Sequence, residues 1–82
     1  MKVDSPVSVS FYFDSKKMKV FPSRMVWNNR LYVITKLGFH HTYREGRTLF
    51  HVFSVATATS FFRLKLNSET LFWNLEEVSD GF

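Results

Sequence analysis

Apolar and polar residues alternate with period two along most of this chain, and that pattern commits it to β-structure. Val7, Val9, Phe11 and Phe13 alternate with Ser8, Ser10 and Tyr12. On an extended strand such a run puts every apolar side chain on one face. The same rhythm returns around Leu49, His51, Phe53 and Val55, and again around Phe62, Leu64 and Leu66. No stretch carries a convincing helical period. The expectation is one all-β domain, a curled antiparallel meander of about six strands. Its size suits a small barrel-like sheet of SH3 or OB dimensions better than a two-sheet sandwich.

Length and composition agree. Eighty-two residues form one domain, and a chain this short buries only about 60–65% of its unfolded surface. Such domains often need disulfides or metals, yet there is no Cys. Ten Phe, two Trp and three Tyr take their place, each large ring removing on the order of 150–250 Å² from water. The opening residues Met1-Lys2-Val3-Asp4-Ser5-Pro6 lack the apolar run of a secretory signal, and no segment reaches membrane-spanning length. The expectation is a soluble cytoplasmic protein with no membrane contact. Residues 1–5 read as an N-terminal tail and residues 77–82 as an acidic C-terminal tail.

Turn chemistry divides the meander. Strands are expected at residues 7–13, 18–27, 31–43, 48–55, 61–66 and 71–75. Asp14-Ser15-Lys16-Lys17 turns the first hairpin, and Pro22 marks an edge or a bend in the second strand. Asn28-Asn29 suits a two-residue loop that demands positive φ twice. Gly38 reads as a bulge. Glu45-Gly46 centres the next hairpin, Thr57-Ala58 the one after, and Asn67-Ser68-Glu69-Thr70 the last. That register sets His40 opposite His51, Phe53 opposite Phe62, and Leu64 opposite Trp73. One face then holds Leu49, His51, Phe53, Val55, Phe62, Leu64, Leu66, Leu71, Trp73 and Leu75 as the core, joined by Leu31, Val33 and Leu37. The other face holds Phe39, His41, Phe50, Val52, Phe61, Arg63, Lys65, Phe72 and Asn74, with Arg30, Tyr32, Ile34 and Lys36 also outward.

The frame Trp27-x-x-Arg30-x-Tyr32-x-Ile34, then Phe50-x-Val52, Phe62-x-Leu64 and Trp73-x-Leu75 resembles a group of short bacterial β domains of unknown function. Their pattern is W-x-G-R-x-Y-x-V … W-x-L, and the likeness spans about residues 20–78. Asn29 stands where that pattern has Gly. Some members of the group lie beside DNA-repair polymerase genes, so the resemblance implies a small β fold and leans towards nucleic acid.

Charge is unevenly spread. The net charge is +4, but residues 16–65 carry +9, residues 66–82 carry −4 and residues 1–15 carry −1. A basic body suits a polyanion or an acidic protein. His40 and His51 could supply half of a metal site, but a transition metal wants three or four ligands and no acid falls beside them. With no nucleophile elbow and no phosphate-cradling Gly loop, neither catalysis nor a cofactor is expected. The candidate contact residues are Arg30, Tyr32, Lys36, Phe50, Phe61, Arg63, Lys65 and Phe72, flat rings interleaved with cations as single-stranded nucleic acid requires. The alternative is a protein-interaction or homodimerisation surface on the same face.

Overall fold

In the computed structural model, residues 2–80 are described, and they form seven antiparallel strands and no helix. The strands are β1 (Lys2–Asp14), β2 (Lys19–Trp27), β3 (Arg30–Val33), β4 (Lys36–Glu45), β5 (Thr48–Ala56), β6 (Ser60–Asn67) and β7 (Trp73–Asp80). They lie in one sheet in the order β3-β2-β1-β7-β6-β5-β4, which is not closed into a barrel. The all-β class and the antiparallel meander are as the alternation implies. The count is seven because residues 31–43 do not run as one strand. The chain leaves β3 at Val33, crosses Ile34-Thr35, and begins β4 at the opposite edge of the sheet.

Strand β1 joins two limbs. Up to Val7 it pairs with β7, and from Ser8 onward it pairs with β2. The β1–β2–β3 limb folds over the face of the larger sheet, where Trp27 and Tyr32 meet the Phe62 ring edge-on at 6.4 and 5.0 Å. Phe11 reaches Trp73 at 5.5 Å from the same limb. Between them lies a core of Met25, Phe53, Val55, Phe62, Leu64, Leu66, Trp73 and Leu75. Burying these side chains contributes roughly 1.5–3 kcal/mol each.

The segments expected as tails are strand instead. Lys2 sits opposite Glu77, Ser5 opposite Leu75, and Val3 and Val78 pack against the core. Two apolar side chains and a ladder outweigh the polar composition that suggested free ends. Met1, Gly81 and Phe82 lie outside the described residues.

Three hairpins are displaced by one residue from the expected centres, and each has a local cause. Gly46 takes φ +62°, so it occupies the first central position of a two-residue loop with Arg47, and Glu45 faces Thr48. The Thr57 hydroxyl accepts from the Ser60 amide at 3.2 Å and donates to its carbonyl at 3.3 Å, which centres that turn on Ala58-Thr59. The Asn67 carboxamide oxygen accepts from the amides of Glu69 and Thr70 at 2.9 and 3.2 Å, drawing the last turn out to Phe72. Each displacement moves the pairing by two, so faces are preserved although partners change. His40 faces Phe53, Phe53 faces Leu64 and Leu64 faces Leu75. Asn28 and Asn29 both hold positive φ, at 52° and 60°, and close the β2–β3 hairpin as expected.

Face parity survives everywhere except the second limb and one turn. Tyr32 and Ile34 point inward against the core, while Leu31 and Val33 are exposed. Tyr32 lies opposite Met25, and directly opposed residues share a face. The expected parity had been carried backward from β4, but Ile34-Thr35 changes limbs and breaks it. Leu71 is also exposed, because it takes φ +62° in the turn rather than a place on a strand. The bulge at Gly38 is present, with Leu37 opposite Val55 and Phe39 opposite Ser54. A Cβ at Gly38 would sit 3.3 Å from the Ser54 carbonyl oxygen.

Candidate interaction face

Turned away from the core, β4 to β7 and the first half of β1 present a broad outer face in cross-strand rows. The first row runs Tyr43–Phe50–Asn67, and Phe72 follows through its carbonyl, which accepts from the Asn67 amide at 3.0 Å. The second runs His41–Val52–Lys65–Asn74–Pro6. The third runs Phe39–Ser54–Arg63–Glu77–Lys2, and the fourth Lys36–Ala56–Phe61–Ser79.

These rows divide into two halves of different chemistry. At the β4–β5 hairpin end, Tyr43 and Phe50 stack at 5.2 Å and 19°, and the Lys65 ammonium lies 5.1 Å over the Phe50 ring. Phe39 leans on His41 at 5.4 Å. Phe72 is 75% exposed, Phe39 61% and Tyr43 37%. Nothing in the described chain forms a second layer over them. At the other end charges are paired. Arg63 meets Glu77 at 3.1 Å and Glu76 at 3.7 Å, and the Asn74 amide donates to Asp4 at 2.6 Å. Both glutamates reach Arg63 because the β6–β7 register shifts beside it. Between Lys36 and Arg63, above Gly38, an open hollow of about 290 Å³ also borders Ser54 and Phe61.

Of the eight candidate residues, six share this face: Lys36, Phe50, Phe61, Arg63, Lys65 and Phe72. Arg30 and Tyr32 do not. Tyr32 is packed into the core, and Arg30 lies 5.4 Å over its ring on the other limb. Tyr43 belongs to the face but was not among the candidates. It shares the parity of Phe39 and His41, which is the signal that marks it. Val52 is buried although it faces outward, because His41 and Lys65 flank it.

His40 and His51 lie diagonally on the inner face, with His40 Nε2 3.0 Å from His51 Nδ1. The His40 ring stacks on Phe53 at 4.4 Å. The two imidazoles hydrogen-bond one another, and among the described residues no group of three His, Asp or Glu converges to hold a metal ion. Partial burial and then the neighbouring His51, His41 and Lys19 hold His40 below its ordinary pKa of 6.5. The unfolded chain therefore takes up this proton at higher pH than the fold does. Stability should be full above the ordinary pKa and fall as pH drops below it. Thermal unfolding at about pH 7.5 and about pH 5.5 measures this, with a smaller acid-induced loss expected for His40→Gln. An equal loss in both proteins would show that His40 is not responsible.

No protein-family model matches the chain, and neither does a curated protein or a solved structure. Among the described residues no helix is long and apolar enough to cross a membrane.

Proposed function

We propose that this chain is a non-enzymatic binding module that takes single-stranded nucleic acid across the hairpin end of its outer face. The observation that carries this reading is the Tyr43–Phe50–Lys65 stack in an open row continued by Phe72. Flat exposed rings offer stacking platforms, and a cation beside them neutralises phosphate. Arg44 and Arg47 flank the same hairpin and extend its positive charge. The likeness of the Trp27–Leu75 frame to bacterial domains found beside repair-polymerase genes leans the same way. Arg30 and Tyr32 drop out of the proposed contact set.

Fluorescence anisotropy with a labelled oligo(dT) over a salt series tests the reading. Lys65→Ala should weaken binding and lower the salt slope by roughly one unit. Phe72→Ala should weaken binding roughly tenfold, at an unchanged slope, because stacking releases no counterions. Arg63→Ala should do less than Lys65→Ala, since Glu76 and Glu77 already hold its charge. Absence of binding at low salt would refute the reading.

The paired charges at the other end favour a second reading, a protein partner on the same face. A charge-balanced surface around an apolar hollow suits a protein better than a polyanion. Binding that stays constant between low and high salt would select it.

A further inference from the structure

The seven-stranded sheet has two edges of unequal size. Among the described residues, strand β3 offers four positions, whereas β4 offers ten and has only β5 for a neighbour. A long unpaired edge presents a row of free backbone donors and acceptors and is a template for strand addition. Natural edges of this length are commonly blocked by proline or by inward-pointing charge. Strand β4 has no proline, and its inner-face positions are Leu37, His40, Thr42 and Arg44, so the one inward charge sits at the hairpin end.

We propose that β4 pairs antiparallel with β4 of a second copy, across a two-fold axis at His41. The geometry selects the occupant and the register together. In a continued sheet, outer-face residues must oppose outer-face residues. Centred on His41, Phe39 opposes Tyr43 of the second copy, and His40 opposes its Thr42. The extra residue at the Gly38 bulge then shifts the ladder by one, as it does against β5. Leu37 falls opposite Arg44 of the second copy, and Lys36 falls opposite its Glu45. By symmetry every pair occurs twice, giving two Phe–Tyr contacts and two Lys–Glu contacts on the outer face. Among the described residues neither Lys36 nor Glu45 forms an ion pair within its own copy. Moving the ladder by two in one direction sets Lys36 against Tyr43, and in the other against Arg47, a like charge. Only the His41-centred register is self-complementary in both charge and aromatic pairing.

This inference concerns the edge and stands apart from what the outer face binds, although it would join the outer faces of two copies into one surface. Sedimentation equilibrium of the full chain without nucleic acid tests it. The wild type should dimerise. Lys36→Glu and Glu45→Lys should each weaken association about tenfold, since each turns two attractive cross-strand pairs into repulsive ones. The double variant K36E/E45K should regain association close to wild type, because the pairs are restored with their signs exchanged. Both side chains are exposed, so circular dichroism should show the fold intact in all three variants. A wild type that stays monomeric at high concentration overturns the proposal. A dimer insensitive to the single reversals, or not rescued by the double one, overturns it equally and places the contact elsewhere. Dimerisation seen only after an oligonucleotide is added would transfer the edge to that ligand.

Discussion

Trp73→Ala should cost about 3–5 kcal/mol, the range for deleting a large buried aromatic. The indole is 5% exposed and lies between Phe11 and Phe53, each with its ring centre 5.5 Å away. It is a point where the β1 limb, β5 and β7 meet, so neighbouring backbone cannot collapse into the space it leaves. A domain of this length has a total stability of roughly 4–12 kcal/mol, and the loss would leave a small remainder. Trp73→Phe should behave differently. Among the described residues the buried indole Nε1–H has no hydrogen-bond partner, a burden of about 1–3 kcal/mol. Phenylalanine keeps much of the ring packing and removes that donor, so its cost should be less than half that of alanine. Urea unfolding of both variants measures the pair. A loss under about 1 kcal/mol for alanine would show that this side chain does not hold the limbs together, and equal losses for the two would show that phenylalanine neither keeps the packing nor relieves the unpaired donor.

The face on which each residue of β5, of β6 and of β7 as far as Leu75 lies was legible because period two is insensitive to which neighbour a strand meets. Shifting a hairpin by one residue moves the pairing by two, and Phe53, Leu64 and Trp73 stay inside whichever partner they face. The exact partners were not legible. They depend on Thr57 and Asn67 side chains capturing nearby backbone amides, and such contacts leave no trace in the apolar pattern. Asn28-Asn29 was readable because its backbone demand, positive φ at two successive residues, is met by few residue types.

What alternation could not show is that the chain changes limbs at Ile34-Thr35. Neither residue is a Gly or Pro, and both fit a strand. Once that crossing was missed, Tyr32 and Arg30 were carried to the wrong side, and the candidate face gained two residues it does not contain. The same limit applies to charge. Arg63 looked like a free cation, but the register shift in β7 brings two glutamates onto it. The aromatic half was more legible than the electrostatic half, because rings follow strand parity and ion pairs follow three-dimensional register.

Met25→Ala should show that the second limb is secured largely through one side chain. Every other buried side chain of the core cluster comes from β5, β6 or β7, while Met25 enters from β2 and is 1% exposed. The limb's remaining contributions, including Val9, Trp27, Tyr32 and Ile34, are only partly buried. Removing a buried Met to Ala costs about 2–5 kcal/mol. Among the described residues Met25 is the limb's one fully buried member of that cluster, Pro22 being buried on β2 outside it, so that loss should not spread evenly. Amides of β2 and β3 should exchange with solvent faster than those of β5 and β6, since a weakened unit opens before the rest of the fold. Leu31→Ala is the control from the same limb. Its side chain is exposed on the opposite face, so its effect should stay within about 0.5 kcal/mol. Hydrogen exchange with mass-spectrometric or NMR detection resolves the two outcomes. Uniform acceleration across all seven strands would mean that the limb and the main sheet unfold as one unit. Equal costs for Met25→Ala and Leu31→Ala would mean that the limb is held by its ladder with β1 rather than by its packing.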